Sequence, residues 1–257
     1  RSEMQIAAIQ HDIIWEDPQA NHERLAPLIE QAAATGTEMI VLTEMYATGF
    51  SMNSKVIAEP PDGTSVNFLS DQAKTHGVWV AASVPIKDKE EENPVNRLVL
   101  AGPTGENYHY DKRYPFSFAQ EDQHYRAGDR STTVSINEVR YTLTICYDLR
   151  FSDAYWPSAP ETDCYLVVAN WPETRRHHWR SLLVARAIEN QAYVVGANRV
   201  GSDPNVSYSG DSLVVDPLGE IIAECPPGME ATIVAEIDPE KVKEIRKSFP
   251  FMDDRKT

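Results

Sequence analysis

The chain has 257 residues, 42% of them hydrophobic, 9% aromatic and 25% charged, which is ordinary globular composition and long enough for one large core. Lys and Arg total 24 against 39 Asp and Glu, a formal net charge of −15, and no Lys/Arg cluster reverses that field locally. A chain this acidic repels phosphate backbones, so nucleic-acid binding is disfavoured.

No apolar run approaches the roughly 18 to 20 residues that a bilayer span needs. Arg1-Ser2-Glu3-Met4-Gln5 carries no signal-peptide pattern and reads as a short lead-in to a strand. The three cysteines, Cys146, Cys164 and Cys225, cannot all pair and form no C-x-x-C. A disulfide scaffold is excluded, and a reducing, cytoplasmic setting is expected. Asn205-Val206-Ser207 spells a glycosylation sequon, which without a secretory signal is read as chance.

Gln5–Gln10 reads as a strand, Asn21–Ala34 as a helix and Met39–Leu42 as a second strand. Val66–Thr75 has helical periodicity, and Val78–Ala82 and Leu98–Ala101 are short apolar strands. Between those two, Glu90-Glu91-Glu92-Asn93-Pro94 is a polar loop tip. Thr142–Ile145, Tyr165–Val168 and Tyr193–Ala197 are further strands, with the helical run His178–Asn190 before the last. Leu213–Val215 and Ile221–Ala223, joined by Asp216-Pro217-Leu218-Gly219, form a hairpin, and Thr232–Glu236 is a late strand. Asp238-Pro239 then opens a helix to Lys247, a cap followed by proline at the first helical position. With no repeat, low-complexity tract or linker, one domain spans 1–257, its core over about 4–237 and a C-terminal helix and tail over 238–257. The βαβ opening followed by hairpins implies an α/β fold of mixed sheets with helices outside.

Three side chains stand where chemistry is possible. Cys146 ends the strand Thr142-Leu143-Thr144-Ile145 and precedes Tyr147-Asp148-Leu149-Arg150-Phe151, after which Ser152-Asp153 suits a helix cap. A strand–turn–helix presents a side chain at a sheet's carboxyl end and leaves N–H groups free for an oxyanion. The same residue also fits a buried core cysteine, because free Cys often packs as a small hydrophobe. Cys164 fits that second description better, and Cys225, in Cys225-Pro226-Pro227-Gly228, has no evident partner. Glu44 closes the apolar run Met39-Ile40-Val41-Leu42-Thr43, where desolvation raises a carboxyl toward the range useful for proton transfer. A strand-end Glu paired with an arginine would look the same. Lys112, flanked by aromatics in Tyr108-His109-Tyr110-Asp111-Lys112-Arg113-Tyr114, would by itself be a surface lysine.

Other patterns carry less. Gly210-Asp211-Ser212-Leu213 spells the signature of GDSL serine esterases, yet no histidine follows His178 to serve as base, and Ser212 opens a hairpin strand. His177 and His178 are adjacent, not spaced as a helical metal pair. No H-E-x-x-H, Walker A or G-x-G-x-x-G occurs, so no metal or nucleotide cofactor is expected.

Taken together, Glu44, Lys112 and Cys146, in that order, resemble the Glu–Lys–Cys triad of the nitrilase (carbon–nitrogen hydrolase) superfamily. The resemblance extends through Ala169-Asn170-Trp171-Pro172, Arg186-Ala187-Ile188-Glu189-Asn190-Gln191-Ala192-Tyr193 and Ala197-Asn198-Arg199-Val200-Gly201, covering about residues 4–237. The ω-amidase subgroup, which acts on the terminal amide of α-keto acid amides such as 2-oxoglutaramate, is the most similar.

The resemblance implies a four-layer α-β-β-α sandwich paired into a homodimer, acting on a small-molecule amide without cofactor. Its implied roles are Cys146 as nucleophile, Glu44 as proton carrier, Lys112 and the Tyr147 backbone N–H as oxyanion donors, and Glu121 as a second, supporting glutamate. Arg199, Arg175 and Trp171 are the side chains expected to hold the rest of the substrate, the arginines through its carboxylate. The chain departs from the family in having Pro115-Phe116 where Leu-Phe is frequent. Three alternatives stand beside this reading: another amide, carbamoyl compound or nitrile as substrate, a GDSL-type serine esterase, and a catalytically silent binding protein.

Overall fold

The computed structural model describes residues 2–90 and 92–256; Arg1, Glu91 in the expected loop tip, and Thr257 lie outside them. The first half contains β1 (Met4–Gln10), α1 (Pro18–Ala33), β2 (Met39–Val41), α2 (Ser54–Ile57), α3 (Thr64–His76), β3 (Trp79–Ile86), β4 (Val95–Ala101) and β5 (Asn107–Asp111). After α4 (Glu121–His124) come β6 (Thr133–Ile136), β7 (Val139–Ile145), β8 (Cys164–Ala169), α5 (Arg176–Asn190) and β9 (Tyr193–Asn198). The chain closes with β10 (Val200–Ser202), β11 (Ser207–Ser209), β12 (Leu213–Val215), β13 (Ile221–Glu224), β14 (Ala231–Ile237) and α6 (Pro239–Ser248).

Two six-stranded sheets stack, with orders β14-β1-β2-β3-β4-β5 and β13-β12-β9-β8-β7-β6. In each, a parallel trio (β1, β2, β3 and β7, β8, β9) is flanked by antiparallel strands. Side-chain alternation along β1 explains the layering. Met4, Ile6 and Ala8 enter the core shared with Leu143, Ile145 and Val167 of the second sheet. Ala7 and Ile9 point the other way, against Leu25 and Ile29 of α1 and Leu69 of α3. The second sheet is covered by Trp179, Leu183 and Ala187 of α5. The result is the four-layer α-β-β-α sandwich.

Helix ends follow local chemistry. Asp17 Oδ1 accepts from the Ala20 N–H at 3.1 Å, so α1 begins earlier than the apolar periodicity indicates. Gly77, at φ 65°, closes α3 in the left-handed conformation. Asp238 caps α6 as expected, its carboxylate accepting from the Glu240 N–H at 3.0 Å. The helix anticipated after Cys146 is instead a series of 3-10 turns, Cys146–Arg150, Ser152–Ala154 and Trp156–Glu161. Pro157 and Pro160 have no N–H to donate, and that prevents a continuous α-helix there.

The topology gathers one end of the sandwich into a site. The carboxyl ends of β2, β5, β7 and β8 lead to Glu44, Lys112, Cys146 and Asn170, and the start of β4 brings Asn96 beside them. No helix among the described residues is long and apolar enough to cross a membrane.

Candidate active site

Glu44 sits in a turn fixed on both sides. The Leu42 N–H donates to the Ala81 carbonyl at 2.8 Å, and Met45, at φ 45°, donates its N–H to Ser83 Oγ at 2.8 Å. The Glu44 side chain is fully buried and its carboxylate accepts three hydrogen bonds. Lys112 Nζ donates to Oε2 at 2.8 Å, Asn96 Nδ2 to the same oxygen at 2.8 Å, and the Asn170 N–H to Oε1 at 3.0 Å.

Lys112 is equally buried and makes a second bond, Nζ to Glu121 Oε1 at 2.9 Å. Glu121 opens the short α4. The Phe116 backbone fixes its position: the Phe116 N–H donates to Glu121 Oε1 at 2.6 Å, and the Glu121 N–H returns a bond to the Phe116 carbonyl at 3.1 Å. Asn96 Nδ2 also reaches Glu121 Oε2, at 3.2 Å. Burial alone would push the lysine down, but Glu121 and Glu44 outweigh it and hold the ammonium charged. The Glu121 carboxyl is pushed up by burial and by Glu44, against the pull of Lys112.

Cys146 follows β7 at φ 44°, a left-handed backbone that a side chain other than glycine rarely adopts. Asp148 holds this elbow: its carboxylate accepts from the Ile145 N–H at 2.9 Å, the Tyr110 hydroxyl at 2.6 Å and the Tyr114 N–H at 3.1 Å. Because Cys146 begins a 3-10 segment, the first-turn N–H groups, Tyr147 among them, lie where no intrahelical acceptor exists. Burial and the neighbouring Glu44 push the thiol well above its ordinary range, with Lys112 pulling the other way. The thiol thus lies in the field of the Glu44 carboxylate and the Lys112 ammonium, the two groups that a proton transfer from sulfur would involve.

These groups open into a cavity of about 440 Å³ whose wall includes Lys112, Cys146, Phe116, Arg150, Trp171 and Arg175. Among the described residues, no group of three His, Cys, Asp or Glu side chains is placed to hold a metal ion.

Residues 5–247 match the family model for carbon-nitrogen hydrolase. The chain belongs to the carbon-nitrogen hydrolase family. This hydrolase is 39% identical to the omega-amidase YafV of Escherichia coli (strain K12) over 98% of its own length and 96% of that protein's. It is 34% identical to the 2-oxoglutaramate amidase of Bacillus subtilis, over 97% and 96% of the two chains. Among solved structures, XC1258 from Xanthomonas campestris, a CN-hydrolase superfamily protein with an arsenic adduct in its active site, superposes with a TM-score of 0.92 at 35% identity. That match covers 100% of this chain and 98% of the other.

Within this carbon-nitrogen hydrolase, Glu44, Lys112, Glu121 and Cys146 converge as one cluster, and Trp171 and Arg175 line the cavity beside it. Arg199 does not, which corrects its assignment as a carboxylate grip. Its buried guanidinium binds Asp12 at 3.0 Å and the Val200 carbonyl at 3.0 Å, and stacks behind Tyr208 with Cζ 4.5 Å from that ring. Ser212 is likewise structural: its buried hydroxyl accepts from the Asn198 N–H at 2.9 Å and donates to the Asn198 carbonyl at 3.0 Å. Cys164 and Cys225 are buried free thiols. Asn96 and Asp148 escaped sequence reasoning, since a lone amide inside an apolar strand or an acid beside a cysteine carries no spacing signal.

Proposed function

We propose that this hydrolase is an ω-amidase, cleaving the terminal amide of an α-keto acid amide such as 2-oxoglutaramate to the keto acid and ammonia through a thioester on Cys146. The observation that carries the reading is the buried cluster in which one ammonium bridges two carboxylates next to a thiol on a strained turn. The names borne by relatives at 34–39% identity over nearly the full length support the substrate class.

Cys146 Sγ attacks the amide carbon while its proton passes to Glu44. The oxyanion accepts from Lys112 Nζ and the Tyr147 N–H, donors held in place before the charge forms. Collapse breaks the carbon–nitrogen bond, and Glu44 returns the proton to the departing ammonia. Water then gives a proton to Glu44 and attacks the thioester; the sulfur leaves and is reprotonated. Glu121 keeps Lys112 charged and aimed, and Trp171 and Arg175 hold the remainder of the substrate. We take the working unit to be a cytoplasmic homodimer, as the family resemblance implies.

The test is ammonia release from a panel of amides, nitriles and carbamoyl compounds with wild type and Cys146→Ala, coupled to intact-mass detection of an acyl adduct. Release from 2-oxoglutaramate with a transient adduct is expected. Activity confined to nitriles or carbamoyl compounds overturns the substrate, and full activity in Cys146→Ala overturns the mechanism.

A further inference from the structure

Arg150 and Arg175 face the same cavity, and both lie against aromatic walls. Arg150, at the end of the 3-10 segment that Cys146 begins, has Cζ 4.8 Å from the Trp171 ring centroid. Arg175 has Cζ 5.6 Å from the Phe116 centroid. Trp171 Nε1 donates to the Arg175 carbonyl at 2.9 Å, so one indole ties both arginines to the site.

Neither arginine has a carboxylate partner among the described residues. The neighbouring cations do: Arg176 and Arg180 pair with Asp211, Arg199 with Asp12, and Lys112 with both glutamates. Asp203 also lines the cavity, but its carboxylate already accepts from the Tyr208 hydroxyl, the Asn205 N–H at 2.8 Å and the Val206 N–H at 2.9 Å. Arg150 gives one Nη2 hydrogen to His178 Nδ1 at 3.1 Å and has further N–H groups to offer. Burial and the nearby Arg175 disfavour its charged form, a cost that a bound anion would remove. A guanidinium stacked on a ring keeps its edge free, and the edge carries the paired donors that match a carboxylate. In a chain of net charge −15, two cations in one aromatic cavity with no carboxylate partner among the described residues mark a place for an anion.

We propose that Arg150 and Arg175 together form the receptor for a carboxylate on the substrate, which makes this site select anionic amides over neutral amides of the same size. The inference rests on the cysteine-amidase reading and adds Arg150 as a specificity-determining residue.

The experiment compares kcat/KM for 2-oxoglutaramate and for pentanamide in wild type, Arg150→Gln, Arg175→Gln and Arg150→Lys, and titrates each protein calorimetrically with 2-oxoglutarate. Each Gln variant is expected to lose about ten- to a hundredfold on the anionic amide, chiefly through KM, as loss of a charge-assisted pair implies. Loss on pentanamide stays under about threefold, Arg150→Lys recovers part of the anionic activity, and 2-oxoglutarate binding weakens in parallel. Equal losses on both amides, or no loss on either, overturn the receptor. Wild-type activity on pentanamide alone overturns it too, while leaving the cysteine-amidase reading intact. Wild type that releases ammonia from neither amide overturns that reading; the receptor is then decided by the titration, where unchanged 2-oxoglutarate affinity in Arg150→Gln rejects it and a tenfold loss supports it.

Discussion

Glu44 and Glu121, both fully buried, share one ammonium: Lys112 Nζ lies 2.8 Å from the first carboxylate and 2.9 Å from the second. Two acids around one cation leave the cluster short of positive charge, so the lysine governs both stability and chemistry. Lys112→Met is expected to cost about 3–5 kcal/mol in urea unfolding, because it strands buried charge. It should also lower kcat by about a hundred- to a thousandfold through loss of an oxyanion donor. Adding Glu121→Gln should recover stability without recovering turnover. A double variant no more stable than Lys112→Met contradicts this account.

Cys146 lines the cavity, whereas Cys164 is sealed in β8 and Cys225 in a turn. Iodoacetamide should therefore label Cys146 first, as peptide mass mapping reads directly, and a bound dicarboxylate should slow that labelling. Preferential labelling of Cys164 would show that the cavity does not admit small electrophiles.

Asn96 donates to Glu44 at 2.8 Å and to Glu121 at 3.2 Å, and hydrogen bonds to a carboxylate favour its ionised form. Asn96→Leu removes this support, so the Glu121 carboxyl, already pushed up by burial, rises further. The acid limb of the kcat/KM profile should move to higher pH. An acid limb that stays in place or moves to lower pH refutes the role of Asn96.

Asp148 is pushed up by burial, against its hydrogen bonds, from an ordinary value near 3.8 to about 6. In that window the unfolded chain has released the proton and the folded chain still holds it. The Asp148 contribution to stability is thus greatest at low pH and is lost as pH rises through the window. Asp148→Asn does not titrate. The stability advantage of wild type over this variant should be about 2 kcal/mol larger near pH ~4 than near pH ~7 by urea unfolding at each pH. An advantage that grows with pH reverses the sign and rejects the assignment.

Gly128 donates its N–H to the Lys112 carbonyl at 2.9 Å, and a Cβ placed on it would collide with the Asp111 carbonyl oxygen. Backbone cannot rotate away as a side chain can. Gly128→Ala should displace the Asp111–Lys112 peptide and lower kcat at least about tenfold, with KM little changed, as small displacements of catalytic groups do. Unaltered kcat would mean that the loop absorbs the methyl group without moving Lys112.

Glu44 and Cys146 were legible because each ends a strand-like run, and strand ends are where a sheet presents side chains; Lys112 was legible only through the family resemblance, because β5 before it gave no strand signal. Asn96 was hidden, since an amide within the apolar Val95–Ala101 looks like any polar strand position until the turn after β2 and the start of α4 bring Glu44 and Glu121 to it. Arg199 misled for the opposite reason. Its place after a strand end suggested the cavity, but Asp12 and Tyr208, each distant in sequence or turned by a loop, enclose it. Arg150 lay within a recognised stretch, and only the stacking on Trp171 distinguishes it from a surface arginine. The strands β5, β6, β10 and β11 went unseen because their stability comes from neighbours and not from their own apolar content.

The pairing of β1 with β14, Met4 opposite Ile237 through Gln10 opposite Ala231, also constrains how the molecule is made. β1 is an interior strand of its sheet and almost wholly buried, yet one of its flanks is covered by a segment that the ribosome delivers more than two hundred residues later. Throughout most of translation the nascent chain carries an open, apolar strand edge of the kind that recruits other chains. Synthesis past Ile237 is thus the step that closes the sheet, and slow or interrupted elongation before that point exposes the protein to chaperone capture and aggregation.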